Sequence, residues 1–101
     1  MAKARDAANS VGPVLTKGRR ADAVIAAIRE LNEDTEVVDR GAYLRVSVPL
    51  SCTVTRQAIE KHAGETFLFP SDLEMIMPSF KGRLALTEDV AVWNFREAGW
   101  R

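Results

Sequence analysis

TEVVDRGAYLRVSVP, residues 35–49, carries the clearest structural signal in the sequence. Valine and threonine are frequent in it, which is typical of β-strands. From residue 42 onward apolar and polar side chains alternate, and this period of two predicts a half-buried strand whose inner side chains include Leu44, Val46 and Val48. Between the two apolar runs lies Asp39-Arg40-Gly41, where glycine supplies the positive φ of a tight turn. The stretch therefore predicts an antiparallel hairpin that its final proline closes.

Two helices flank this hairpin. Upstream, ADAVIAAIRELN (residues 21–32) repeats apolar residues at the spacing of one helical face and places charged residues on the other. Downstream, residues 55–63 have the boundaries of a short helix, because Thr55 can act as the N-cap and Gly64 stands where a left-handed C-cap belongs. The apolar face of the first helix comprises Val24, Ile25, Ile28 and Leu31.

The other segments are rich in strands. VGPVL (residues 11–15) predicts an edge strand or the start of a strand, because proline cannot donate to a sheet ladder. Residues 73–77 predict a short turn or strand that leads into a loop. Residues 83–95 predict a last hairpin that turns at Glu88-Asp89.

This order of elements indicates the α+β class. We expect a single compact domain over residues 11–96, with antiparallel strand hairpins and two helices packed on the sheet. Residues 1–10 have no stable apolar face and predict a flexible N-terminal arm, whereas residues 97–101 predict a frayed C-terminus.

Composition narrows the classes of function. The chain has 101 residues, 47% of them hydrophobic, which is enough for one modest core. Its 14 basic and 14 acidic residues cancel, so no long-range field favours nucleic acid or an anionic membrane as the partner. No signal peptide or membrane-spanning run is visible, and a single cysteine excludes an internal disulfide. We therefore expect a cytoplasmic protein, monomeric when isolated.

A catalytic or metal site is not indicated. His62 is the one histidine and Cys52 the one cysteine, so neither a zinc site nor a Cys-His nucleophile can form within one chain. Glu60 and His62 are two positions apart, on different faces of their helix. We expect no cofactor, no metal and no enzymatic activity, unless Glu60, His62 and Cys52 converge in the fold.

A basic cluster supports one alternative function. Lys17, Arg19 and Arg20 lie just ahead of the first predicted helix, where they could hold a phosphate. The protein would then be a free-standing α+β domain that binds a ligand or nucleic acid.

The stretch MIMPSFKG, residues 75–82, points to a second function. It concentrates methionine, isoleucine and phenylalanine around a proline, in a region where the pattern predicts a loop. Exposed aromatic and methionine side chains are typical of interface centres. Either Ile76 and Met77 close the core and Phe80 folds back over it, or the stretch is a contact surface for another protein.

Four blocks of the sequence together resemble a known family. They are NSVGPVL (9–15), VVDRGAYLRV (37–46), GETF (64–67) and MIMPSFKGR (75–83). In order and spacing they are similar to the effector, or coupling, proteins of bacterial soluble diiron monooxygenases. These include the regulatory components of methane monooxygenase, phenol hydroxylase, and the toluene and alkene monooxygenases. The likeness runs from about residue 9 to residue 95.

The resemblance implies a non-catalytic subunit without metal or cofactor. Proteins of this kind bind the diiron hydroxylase and tune oxygen activation, substrate access and coupling. Carried over by position, the partner-binding residues are Ile76, Met77, Pro78, Ser79, Phe80 and Lys81. Relatives often have asparagine where Ile76 stands and tend to be neutral where Lys81 stands.

Overall fold

Seven strands and three helices make up residues 9–95, the part of the chain that the computed structural model describes. The predicted C-terminal segment 97–101, with Trp100, lies outside these residues, and so do residues 1–8 of the predicted arm. The elements are β1 (Ser10–Thr16), α1 (Arg19–Leu31), β2 (Glu36–Asp39), β3 (Tyr43–Pro49), β4 (Ser51–Thr55), α2 (Arg56–Ala63), α3 (Ser71–Ile76), β5 (Ser79–Lys81), β6 (Arg83–Leu86) and β7 (Val90–Asn94). Ser10, placed in the arm by the sequence prediction, is the first residue of β1.

The strands form two antiparallel sheets. The first has the order β2-β3-β1-β5 and the second the order β4-β7-β6. The predicted hairpin is confirmed as β2 and β3, with Val37 opposite Val46 and Val38 opposite Arg45. Its turn uses Gly41 at a φ of +88°. The predicted last hairpin is confirmed as β6 and β7, with Ala85 opposite Val92.

The strand β1 begins at Ser10, so the predicted start of a strand is confirmed, but β1 lies inside the first sheet, so the alternative of an edge strand was wrong. It pairs with β3 on one side and with β5 on the other. Proline is tolerated here because the pairing with β3 lapses at Gly12 and Pro13 and resumes at Val14. The second partner, β5, comes from far along the chain.

Both predicted helices are confirmed. The Oγ1 of Thr55 accepts a hydrogen bond from the Ala58 N–H at 3.1 Å and caps α2, and Gly64 ends that helix in the left-handed region at a φ of +71°. The helix α1 buries Val24 and Ile28, as its apolar period predicted, and it packs against α2. Ile25 is partly buried, whereas Leu31, predicted on the same face, is 43% exposed at the end of the helix.

Three further elements, α3, β4 and β5, were not predicted. Leu73 and Met77, four residues apart, are both buried, so the segment predicted as a turn or strand turns inward as the helix α3. Asp72 favours this helix, because its Oδ2 accepts the Leu68 N–H at 2.8 Å and its charge lies at the positive end of the helix. The strand β4 buries Cys52 and was missed because it begins directly after β3.

Two corner residues carry the chain from the first sheet to the second. Leu50 joins β3 to β4 at a φ of +68°, and Gly82 joins β5 to β6 at a φ of +110°. A Cβ at Gly82 would lie 2.8 Å from the Cγ1 of Val11 and 3.0 Å from the carbonyl oxygen of Asn94. Only glycine fits that corner without displacing its neighbours.

One core joins the sheets and the helices. Trp93, Phe67, Leu15 and Ile28 are fully buried in it, and the Cα radius of gyration is 12.9 Å. That radius is close to the ~13 Å of a compact domain of about 100 residues. The predicted single α+β domain is therefore confirmed.

Candidate partner-binding surface

The stretch MIMPSFKG is not a loop, contrary to the prediction. Met75 and Ile76 end α3, Met77 caps it with its N–H directed at the Glu74 carbonyl, and after Pro78 the chain enters β5. The short β5 is ordered because it pairs with β1, with Pro13 opposite Phe80.

Its apolar side chains divide between core and solvent. Met77 is buried and Ile76 packs half-buried against the core, which agrees with the interpretation of this stretch as core. Met75 is 75% exposed and Phe80 43% exposed. Phe80 thus does not close over the core. Of the six predicted contact residues, Pro78, Ser79, Phe80 and Lys81 are exposed.

The exposed residues of β5 point in two directions. Successive side chains of a strand alternate between the two faces of its sheet. Ser79 and Lys81 pair with Val14 and Gly12, whereas Phe80 pairs with Pro13, which is fully buried. Ser79 and Lys81 therefore belong to the solvent-facing side of the first sheet, and Phe80 lies at the margin of the core-facing side.

The solvent-facing side of the first sheet, called here the outer face, has a continuous row of side chains. Val38 is opposite Arg45, Arg45 is opposite Val14, and Val14 is opposite Ser79. This row crosses all four strands, so Ser79 is placed on the same surface as the hairpin. At a strand spacing of ~4.8 Å, the row spans roughly 14 Å.

The outer face includes residues that the sequence analysis did not connect with Ser79. Arg45 and Tyr43 are exposed, and Val38 is 43% exposed. Alternation along β3 already placed Tyr43 and Arg45 on the polar side of that strand. Their proximity to β5 depends on the pairing of β1 with β5, for which the sequence has no local signal.

The basic cluster does not form an open phosphate site. Each of its three cations has a carboxylate within ion-pair distance: Lys17 with Asp39 at 2.8 Å, Arg19 with Glu65 at 3.7 Å and Arg20 with Asp72 at 3.6 Å. The hydrogen bond from Lys17, with another from the Gly41 N–H, lowers the pKa of Asp39. Arg20 also lies over the ring of Phe67, 5.9 Å from its centroid. The charges of the cluster are thus matched by carboxylates of the same chain.

The three residues considered for chemistry have separate structural environments. His62 Nε2 lies 2.7 Å from Oε1 of Glu30, and Glu60 pairs with Arg56 at 3.0 Å. Burial raises the pKa of the Cys52 thiol to about 12, so it stays protonated and unreactive at neutral pH. Within residues 9–95, no three His, Cys, Asp or Glu side chains gather as a metal site.

Sequence comparison identifies the family of this chain. Residues 9–94 match the MmoB/DmpM family. The chain belongs to that family. A relative in Xanthobacter autotrophicus strain Py2, the effector subunit of an alkene monooxygenase system, is 37% identical over 90 residues, which are 87% of this chain and 88% of the relative.

A solved structure shares the MmoB/DmpM fold of this chain. It is described as a complex of phenol hydroxylase with its regulatory protein, and it matches with a TM-score of 0.75 and 16% identity, over 86% of this chain and 98% of the other. The resemblance to non-catalytic effector proteins that the sequence indicated is thus confirmed. In the described part of the chain, no helix has the length and apolarity to cross a bilayer.

Proposed function

We propose that this protein is the effector subunit of a monooxygenase system and that it acts by binding the diiron hydroxylase component. The observation that carries the proposal is the match to the MmoB/DmpM family over residues 9–94, together with the 37% identity to an alkene monooxygenase effector subunit. Substrate oxidation takes place on the hydroxylase, and this chain supplies a binding surface. We place both in the cytoplasm.

The proposed mechanism is a shift of the hydroxylase between conformations. An effector that binds one conformation more tightly than the other moves the equilibrium by the difference in affinity. An effector with equal affinity for both would change nothing. Through this shift the protein tunes oxygen activation, substrate access and the coupling of reductant to product.

The contact surface in this proposal is the exposed part of the predicted residues. Pro78, Ser79, Phe80 and Lys81 are accessible to a partner. Ile76 and Met77 belong to the border of the core and to the core itself, so they are left out of this surface. The rigid pairing of β5 with β1 supports this assignment, since a preformed surface loses little conformational entropy on binding.

A matched pair of substitutions tests the contact surface. Ser79→Asp adds a charge to the outer face, and Ser51→Asp adds the same charge to an exposed serine at the start of β4, in the other sheet. We expect Ser79→Asp to weaken binding to the hydroxylase at least tenfold and to reduce product formed per reductant, whereas Ser51→Asp leaves both within twofold of the wild type. Thermal unfolding of the two variants controls for loss of structure. Equal effects of the two substitutions on binding would contradict the assignment.

A further inference from the structure

Arg45 has no carboxylate partner, in contrast to most other arginines and lysines of the described chain. Lys17, Arg20, Arg56 and Lys61 each lie within 4 Å of a carboxylate. The Arg45 side chain is exposed, and among residues 9–95 it takes part in no hydrogen bond or ion pair. The fold therefore does not use its charge.

The surroundings of Arg45 favour an anion. A groove on the outer face runs between β3 and β5, with Gly12 and Val14 at its floor, Arg45 and Ser47 on one side, and Ser79 and Lys81 on the other. None of the described Asp and Glu residues lines this groove. Glu36, the carboxylate of β2 on this face, is opposite Ser47, in the neighbouring row.

The groove is shaped to admit a partner's side chain. At its floor the backbones of β1 and β3 approach closely, since a Cβ at Gly12 would lie 2.3 Å from the Val46 carbonyl oxygen. Beside it, Tyr43 and Val38 expose apolar surface on the same face, each by nearly half. Arginine and tyrosine are enriched at the energetic centres of protein interfaces, so Arg45 beside the exposed Tyr43 fits such a centre.

We propose that the outer face is the surface that docks on the hydroxylase, and that Arg45 binds a carboxylate of a hydroxylase segment lying in the groove. This inference rests on the proposed function and adds to it the face that binds, the residue that anchors it and the chemistry of the partner. A planar guanidinium matches a carboxylate with two parallel hydrogen bonds. Ser79, in the same row as Arg45, lies within the contact, whereas Phe80 borders it from the other side of β5.

Charge complementarity is the argument for an acidic protein segment. The pairing adds to affinity only once the hydroxylase covers the groove and excludes water, because an exposed ion pair contributes little. Val14 and Val38 flank Arg45 in the row and would exclude water from a carboxylate that its guanidinium binds. Such a contact would set the register of the complex.

The test compares Arg45→Glu with Arg29→Glu by titrating each protein into the hydroxylase and measuring the dissociation constant at 50 and 300 mM NaCl. Arg29 is an exposed arginine on α1, in the helical layer, and its side chain makes one hydrogen bond to the Thr35 carbonyl. We expect Arg45→Glu to weaken binding at least tenfold at 50 mM NaCl and to remove most of the salt dependence that the wild type shows. Arg29→Glu should remain within twofold of the wild type. Both variants should unfold within a few degrees of it, since neither side chain supports the core.

The outcomes separate this inference from the proposed function. If the wild type binds the hydroxylase and Arg45→Glu binds equally well, the docking face is elsewhere and the inference is overturned, while the effector function stands. If the wild type itself does not bind, the proposed function fails and this inference fails with it. If inorganic phosphate at millimolar concentration perturbs Arg45 in the free protein and the substitution leaves hydroxylase binding unchanged, the groove is a small-anion site, which also overturns the inference.

Discussion

The same substitution at two methionines of one short stretch should change the stability of the protein by very different amounts. Met77 is 8% exposed and Met75 is 75% exposed, although they are separated by a single residue. We predict that Met77→Ala destabilises the protein strongly and that Met75→Ala leaves its stability nearly unchanged. The pair is matched in chemistry, so the difference isolates the burial of the side chain.

The size of each stability change follows from how deeply the methionine side chain is buried. Replacing a buried methionine by alanine lowers the free energy of unfolding by about 2–5 kcal/mol. Because Met77 lies between α3 and β5, at the border of the core, we expect a loss of about 3 kcal/mol, within that range. For a domain of this size that loss corresponds to a fall in Tm of roughly 12–24 °C. Met75 loses only a small buried area, and alanine is the better helix former at its position in α3, so the net change should stay within about 0.5 kcal/mol.

Thermal unfolding followed by far-UV circular dichroism, with urea unfolding for the free energy, measures both variants. Equal changes in the two variants, or a larger loss for Met75→Ala, would refute the division of this stretch between core and solvent. Hydroxylase binding by Met77→Ala, measured well below its Tm, should match that of the wild type, since its side chain is not at the contact surface.

Three other predictions concern the fold. Gly82→Ala should lower the free energy of unfolding in urea by about 3 kcal/mol or more, because it adds a clash to an unfavourable φ. Gly41→Ala has open space around it and should lower that free energy by only about 1–2 kcal/mol. Similar losses for the two variants would show that the Gly82 corner can relax. Asn32→Ala should cost about 2–3 kcal/mol, because the Asn32 amide accepts the Thr53 N–H at 2.9 Å and donates to the Thr53 carbonyl at 2.7 Å, and an unchanged urea midpoint would contradict this. Hydrogen bonds from His62 and then Lys61 lower the pKa of Glu30 below its ordinary value of 4.5; the stability that ionised Glu30 contributes is therefore present above that value and lost as the pH falls through the lowered pKa. The difference in Tm between wild type and Glu30→Gln should be constant above pH 4.5 and shrink as the pH falls further, and a difference that stays constant in acid would disprove this linkage.

Local signals in the sequence were sufficient for the hairpins and the two longer helices. The turn glycine at position 41, the alternation along β3 and the caps of α2 all act within a few residues, so each could be recognised without knowledge of the fold. The same holds for the apolar face of α1. These elements also have the lengths at which a periodic pattern is reliable.

Pairings over long distances along the chain could not be recognised in this way. Nothing near Pro13 indicates that β5 will add to β1, and a proline normally argues for an edge. Leu50 has a positive φ, which leucine rarely adopts, so the corner that separates β3 from β4 was hidden. The six residues of α3 are too few for a period, and its inward side is set by Leu73 and Met77 filling the core.

The MIMPSFKG stretch differs in shape from the predicted loop. The apolar residues of MIMPSFKG were expected to act together, yet β5 directs Ser79 and Phe80 to opposite faces of the sheet. The contribution of Arg45 depends on three strand pairings and becomes visible only in the row that crosses the sheet. A single sequence defines which residues can lie on a surface, and the topology decides which of them share it.

The central claim is that this protein acts on a diiron hydroxylase as its effector. The most direct test is to titrate the purified protein into the hydroxylase from the same organism and to follow product formed per reductant consumed. We predict a rise to a maximum near one effector per hydroxylase active site. An unchanged ratio across the titration, with a hydroxylase that is active by itself, would contradict it.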